Sequence, residues 1–418
     1  MANYTATPID AVNRAQMSAN IIVANEPAET LKNINMNFDS KRAAKGQVIV
    51  VPVMPASSSS AFTARDVPGV GNANQAVNVQ VLITNVSEQS NAYSGEQLLQ
   101  LENTGIRDDL LAQFLAQAER TFRNEMEADV ASKIIINASR AIGTPGTIPF
   151  ATDLKTLIQA RKILDDNGAP VIDRRVIVNT SAYSNILSTN LVSKAMEAGT
   201  DDERRRGVIK NQYGFDIAQS AGISDHASGN GTNYHTDAAT YTPSSGMAAK
   251  NTAIVVKSGT LGSAPVGIQY GDIITFAADT KNKYCVNPPV TTTTALSAPS
   301  TTGSDLTSGA GTITIGNPGL RKTIADNNAI SILSGTTENG TTGYAPSFAF
   351  SRHAVVGVIR PPMIDSSPLL TVHPIKDDVN GLTYLFGESI GVGCVSWWLW
   401  VAYGFKVTQS EYVVLIAG

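Results

Sequence analysis

The stretch TGIRDDLLAQFLAQAERTFRNEMEADVASKIIINASRA, residues 104–141, holds no proline and no glycine beyond Gly105. Ala, Leu, Glu, Gln, Arg and Met, the best helix formers, fill most of it. Asn103 or Thr104 can cap its start, Asp108 and Asp109 favour the positive end of the helix dipole, and Gly143 and Pro145 stop it. A helix over this range measures about 55 Å at 1.5 Å per residue, well beyond the ~30 Å of a small domain. Its length predicts a rod with something flat or elongated built along it. Leu110, Phe114, Ala118, Phe122, Met126, Val130 and Ile134 recur every four residues, a spacing that winds the stripe around the helix. A heptad seam begun at Leu111 and Phe114 meets Thr121 and Glu125, which argues against a two-stranded coiled coil. The expectation is a spine, with a bend or break around 124–129, whose successive parts touch different partners.

Upstream of the spine, QVIVVPV at 47–53 and VNVQVLITNV at 77–86 read as strands, the second alternating Val77, Val79, Val81 and Ile83 with polar residues. Between them lie four serines at 57–60 and a Gly/Asn-rich stretch, so the pair is expected to form a long hairpin with an extended tip. Such a hairpin is marginal alone in water and needs another surface. Gly69-Val70-Gly71 in the tip lacks the strand and helix of a phosphate loop. Residues 1–45 read as an arm, with a short helix over 8–25 that puts Ile9, Val12, Ala15 and Ala19 on one side.

Downstream, TDLKTLIQARKILDDN at 152–167 is an amphipathic helix with Thr152 as its expected cap and Gly168 as its end. RVIV at 175–178, a helix capped by Ser181, another over 191–198 and the alternating 214–220 segment make a small α/β unit with a mixed sheet. From Ser224 to Pro346 the composition turns to Gly, Ser, Thr, Asn and Ala, with short β runs at 253–257, 266–268, 272–277, 284–286, 312–315 and 329–333. Turn signals separate them, which predicts an inserted small barrel or sandwich, with 291–304 as a low-complexity loop. In 397–402 both faces of an alternating strand are apolar, placing it at the centre of a sheet, and 413–416 reads as a final strand.

The 418 residues suffice for two or three cores. Charged residues make up only 16% against about 25% in ordinary soluble chains, a mix that suits a surface largely covered by neighbours. The net charge of −4 supplies no basic field for gripping phosphates. Two cysteines, Cys285 and Cys394, make neither a disulfide framework nor a Cys-based zinc site. The first residues lack the pattern of a signal peptide and no eighteen-residue apolar run occurs, so the expectation is a soluble chain that stays where it is made.

The four histidines offer no catalytic constellation. His226 and His235 read as a hydrated loop pair, His353 as a structural hydrogen-bonder, and His373 has no nucleophile candidate beside it. The charge block 201–206 and the acidic pairs 165–166 and 377–378 read as solvated or bridging patches. No nucleophile elbow, zinc-protease helix or phosphate-loop motif is present, so no catalytic, cofactor-binding or metal residue and no cofactor is assigned.

The order of landmarks resembles a known family. Leu98-Leu-Gln-Leu-Glu102 leading into Arg107-Asp-Asp, Arg174-Arg-Val-Ile-Val-Asn179 followed by Tyr183, and Tyr213-Gly-Phe-Asp-Ile-Ala-Gln-Ser220 are similar to the major coat proteins of P22-type phages, within the HK97-like capsid fold. Gly271-Asp-Ile-Ile-Thr-Phe276, Phe348-Ala-Phe-Ser-Arg-His-Ala354 with Arg360-Pro361, and Gly381-Leu382, Trp400 and Tyr403-Gly404 continue the pattern, while residues 291–345 match poorly. The resemblance implies an α+β HK97-like fold with a long spine helix, an extended β-hairpin loop and an inserted β-barrel-like domain. Its divisions would be an arm at 1–45, an extended loop at 46–90, a peripheral domain with the spine at 91–152, an axial part at 153–222, the β-rich insertion at 223–346 and the return to the core at 347–418. It further implies a non-enzymatic icosahedral shell of hexamers and pentamers enclosing double-stranded DNA without sequence-specific binding. A scaffolding protein, a portal and a possible decoration protein would be its partners, and the chain would be made in the host bacterial cytoplasm and reside in the virion. The rival reading is a β-rich surface or adhesive protein, suggested by the Thr/Ser/Gly-rich insertion.

Overall fold

A computed structural model describes residues 12, 15, 16, 19, 29–36, 44–53, 77–97, 100, 106–188, 211–237, 240, 241, 243, 252–262, 267–288, 310–376 and 382–418. The hairpin tip with its Gly69-Val70-Gly71, the expected helix at 191–198, the charge block at 201–206, the low-complexity loop at 291–304 and the acidic pair at 377–378 lie outside the described residues. The chain is a mixed α/β protein with few helices and many strands. It divides into two units: residues 1–49, 81–130 and 356–406 form the first, and residues 50–80, 131–355 and 407–418 the second.

The long helix runs from Arg107 to Ile135, 29 residues, or about 43 Å at 1.5 Å per residue, without a break at 124–129. It ends earlier than the helix propensity of 136–141 predicts. Asn137 turns its side-chain amide back to the carbonyl of Lys133 at 2.8 Å, and Arg140–Gly143 is a strand. Arg140 and Ala141 thereby fill a place in a sheet, and tertiary pairing overrides their helical preference.

In the first unit the strand Cys394–Val407 pairs antiparallel with Thr383–Ile390 and with Asn85–Ser94. Leu370–Lys376 lies beyond Thr383–Ile390, and Val355–Arg360 ends the other side of this five-stranded sheet. Trp397 and Leu399 on one face are fully buried, and on the other Trp400 and Ala402 are 7% and 0% exposed, in keeping with apolar residues on both faces. The sequence at 77–86, read as one strand, is two: Val77–Leu82 pairs with Val48–Val53, and Asn85–Ser94 leaves to join the sheet. The change falls at Ile83, whose N–H and carbonyl still bond Gln47 and Gly46 at 3.0 Å. Gly404 permits the close approach here, because a Cβ on it would sit 2.1 Å from the carbonyl oxygen of Leu82.

In the second unit six strands close on themselves. Going round, they are Ile273–Phe276, Ala329–Leu333, Tyr234–Thr236, Ala253–Lys257, Gly311–Ile315 and Asp279–Asn287, which pairs back to the first. All neighbours are antiparallel, and Tyr234, Ile254, Phe276, Tyr284, Ile313 and Leu320 fill the interior. Closure removes the free edges that a short-stranded sheet otherwise exposes. Asp279–Asn287 also pairs with Arg140–Gly143, and the sheet continues through Val413–Ala417, Pro346–Ser351, Arg174–Val178, Phe215–Gln219 and Asn211–Gln212.

That continuation is mixed: Val413–Ala417 is parallel to Arg140–Gly143, and Arg174–Val178 parallel to Phe215–Gln219. The helices Lys155–Asp166 and Thr180–Ser188 supply Leu157, Ala160, Leu164, Ala182 and Ile186 to the core they share with Val176, Val178, Ala349 and Ile416. Two expected caps are corrected. The first of these helices starts at Lys155, whose N–H is taken by Asp153 rather than Thr152, and the second is capped by Asn179, whose Oδ1 accepts the N–H of Ala182 at 2.8 Å, rather than by Ser181. Gly168, at φ +74°, ends the first helix as its sequence position predicts.

Candidate functional site

The long helix carries two buried rows side by side. The first is the row read from the sequence: Ala118, Phe122, Met126, Val130 and Ile134 are buried, Leu110 and Phe114 partly so. In the first unit Phe114 meets Trp397 with ring centroids 6.1 Å apart, and Phe122 lies over Tyr384 at 6.2 Å. The second row, also at every fourth residue, is Leu111, Leu115, Glu119, Arg123, Glu127, Ala131 and Ile135. It is apolar at both ends and charged in the middle, yet Glu119, Arg123 and Glu127 are no more than 2% exposed.

Burying a carboxylate is costly unless donors meet it. Both glutamates receive donors from the N-terminal arm. Gln16 donates its side-chain amide to Glu119, and the backbone N–H groups of Thr30 and Leu31 donate to Glu127 at 3.2 and 3.0 Å. Glu127 thereby caps the four-residue helix Thr30–Asn33, whose first N–H groups have no partner within the helix. In the arm, Val12, Ala15, Gln16 and Ala19 are helical and buried, so the polar Gln16 joins the apolar side read from the sequence. Glu388, 4% exposed, accepts the indole N–H of Trp397 at 3.1 Å and faces Arg107 at 3.5 Å.

The second unit has its own buried polar centre. Arg140 and Arg321 both donate to Oδ1 of Asn167, and Asn167 donates to the carbonyl of Glu411 at 2.6 Å. Burial, helped by the charge of Arg321, lowers the pKa of Arg140, and Asp166 opposes the shift. Arg174, 3% exposed, reaches Asp165 at 2.7 Å. The acidic pair 165–166 is therefore ion-paired to two buried arginines rather than simply solvated.

The structure separates the histidines that the sequence placed in one loop. His226 lies on a short strand with Nε2 3.1 Å from the fully buried Asp272, whose oxygens also accept the N–H groups of Gly229 and Gln269. His235 lies on a barrel strand with Nδ1 3.0 Å from the carbonyl of Asn233, two residues earlier. His353 sits in a 3₁₀ turn after the strand Pro346–Ser351, and His373 in the strand Leu370–Lys376. Full burial pushes the thiol of Cys285 far above its ordinary range, a structural rather than reactive setting. Among the described residues no group of three His, Cys, Asp or Glu side chains could hold a metal ion, and no helix is long and apolar enough to cross a membrane.

What remains are surfaces. Among the described residues the ribbon of Val48–Val53 and Val77–Leu82 is a two-stranded sheet with no third strand. No residue of Val48–Val53 is buried, and Val48 and Val50 are 38% and 49% exposed. Leu369 and Val392 stand out at 65% and 106% in the first unit, Val171 and Ile172 at 63% and 79% in the second. The charged middle of the second helix row was not read from the sequence. Counting in fours from Leu111 finds it, but the types Glu, Arg and Glu read as a solvated face.

No protein-family model matches the chain, and no curated protein matches it. Among solved structures it is similar to the capsid of the cyanophage P-SCSP1u, at 12% identity over 92% of this chain and 90% of that one, TM-score 0.44. It is similar also to a virus-like particle from Pyrococcus furiosus, at 10% identity over 96% and 98%, TM-score 0.42, and to the capsid of Myoviridae phage XM1, at 9% over 94% and 92%, TM-score 0.40. At these identities and scores the likenesses lend no residue role and carry no argument for this chain.

Proposed function

We propose that this chain is the major capsid protein of a double-stranded DNA phage, HK97-like in fold and of the P22 type, which assembles as hexamers and pentamers into an icosahedral shell. The observation that carries this reading is the ribbon. Six residues, VIVVPV, with apolar side chains on both faces and none buried, form half of a sheet that has two strands among the described residues, its other strand buried at Val81. Such a ribbon is marginal in water and becomes reasonable when a neighbouring subunit lies under it. Many such weak contacts in closed symmetry make a stable wall without any single strong one. The ordered sequence landmarks named above support the same reading, and the net charge of −4 suits a wall that confines DNA without gripping it. On this reading the helix Arg107–Ile135 is the spine of the subunit, a scaffolding protein and a portal are its assembly partners, and its role is structural rather than catalytic.

Negative-stain microscopy of the overexpressed chain, with and without co-expressed phage assembly proteins, tests it. Closed shells, tubes or spirals are expected. A species that stays monomeric under every condition, scaffold included, overturns it.

A further inference from the structure

Asn-Gly pairs occur in the chain at 167–168, 230–231, 339–340 and 380–381, the last outside the described residues. Such a pair is chemically labile, because glycine's missing side chain lets its backbone nitrogen approach the side chain of the asparagine. In that step the Gly nitrogen, its proton passed to water, bonds to the Asn Cγ, the Cγ–Nδ2 bond breaks and ammonia leaves. Water then opens the cyclic imide at either carbonyl. Asparagine and water thus become ammonia and an aspartate, or an isoaspartate whose main chain is longer by one carbon.

The fold treats the three described pairs differently. Asn167 is 3% exposed, its Oδ1 held by Arg140 and Arg321 and its Nδ2 by the carbonyl of Glu411. Asn230 is exposed, but its main chain is wedged between loops. A Cβ on Gly262 would stand 2.1 Å from its carbonyl oxygen, and Gly231 donates its N–H to the distant Gly267 at 3.2 Å. Asn339 and Gly340 lie exposed at the tip of the turn that joins Gly335–Thr336 to Thr342–Tyr344, and nothing lies within 4 Å of a Cβ placed on Gly340. The N–H of Gly340 bonds within the turn, to the carbonyl of Thr337 at 2.9 Å. When that bond opens, two others still close the hairpin: Thr337 N–H to the carbonyl of Thr341, and Thr341 N–H to Oγ1 of Thr337.

At this tip Nδ2 of Asn339 donates to Oδ2 of Asp225 at 3.0 Å, and Asp225 leads into His226–Ala227, the strand paired with Thr342–Tyr344. A carboxylate in place of that amide would set two negative charges where a donor and an acceptor were. We propose that Asn339 is a modification site, whose deamidation turns the bond to Asp225 into a repulsion and loosens His226–Ala227 from Thr342–Tyr344. The chemistry needs only the chain and water, so it holds whether or not the chain builds a shell.

In the test the full-length chain is incubated at mildly alkaline pH and digested at intervals, and deamidated peptides are quantified by mass spectrometry. Asn339 should deamidate at least about tenfold faster than Asn167 and Asn230 in the folded chain, and in concentrated urea the three rates should converge. Equal rates in the folded chain overturn the site, and a tenfold difference that survives urea overturns the fold as its cause. The consequence is read by hydrogen exchange at the amide of Ser228, which bonds the carbonyl of Thr342 at 3.1 Å. Asn339→Asp should exchange there at least about fivefold faster than the parent and faster than Asn339→Ala, with added salt narrowing the gap. Amides of Val413–Ala417 should stay unchanged, and faster exchange there as well overturns a local loosening. Parental exchange at Ser228 in Asn339→Asp, or exchange no faster than in Asn339→Ala, overturns the repulsion.

Discussion

Asn167 shows how much one side chain can hold. Its oxygen accepts from Arg140 and Arg321, its nitrogen donates to the carbonyl of Glu411, and it is 3% exposed. Asn167→Ala leaves two guanidinium groups and a carbonyl without that partner, and should destabilise the second unit by about 2–4 kcal/mol in calorimetric unfolding. Glu411 provides a pH test. Burial raises its pKa, so the folded chain holds the carboxyl proton more tightly than the unfolded one. Its contribution is fully present below the unfolded pKa and is lost as pH rises through the folded value. Glu411→Gln should therefore leave the melting temperature unchanged at low pH and raise it near neutrality. Neither residue stands out in the sequence. Asn167 reads as the end of a helix before Gly168, and nothing local says that arginines 27 residues before it and 154 residues after it meet on it.

At the scale of elements the sequence is most legible where one short run is apolar throughout. AIVVK at 253–257 and the apolar strand through 397–402 stand where their runs of apolar residues put them, because a short apolar run bounded by turn signals is consistent with a buried strand. The break at Ile83 has a cue in the phase of the pattern: apolar residues fall at 77, 79, 81 and 83, but Asn85 is polar and Val86 apolar, so the alternation slips by one where the chain changes sheets. The long helix was legible in existence and start but not in its end or its charged row. Both depend on residues brought from elsewhere: a sheet that claims Arg140–Gly143, and an arm that brings donors to Glu119 and Glu127. Phe122, fully buried over Tyr384, tests the apolar row: Phe122→Ala should cost about 3–5 kcal/mol, read by tryptophan emission during denaturant unfolding. Glu119→Ala, in the charged row, should loosen the arm near Gln16 to proteolysis while leaving that denaturation midpoint closer to the parent's.

For the whole molecule, the chain passes between its two units five times, at 49/50, 80/81, 130/131, 355/356 and 406/407. Neither unit is one continuous stretch, and the return of the chain to the core after residue 346 is one of these passages. The shell reading makes a prediction at this scale. Val50, already 49% exposed, can become lysine without disturbing a core, so Val50→Lys should leave the subunit folded by circular dichroism yet reduce shells in micrographs at least severalfold. Shells as abundant as the parent's would separate the ribbon from assembly.

The pairing of Lys283 with Ala141 and of Tyr284 with Arg140 joins the barrel to the neighbouring sheet by main-chain rungs. A domain inserted on two flexible linkers can swivel when pulled. This one cannot do so without breaking rungs that, for a pull along the strands, are loaded in shear and must fail together rather than one at a time. A force applied to the barrel is therefore delivered, nearly undamped, into Val413–Ala417 and Pro346–Ser351 beyond it. The barrel acts less as a pendant than as the end of a lever.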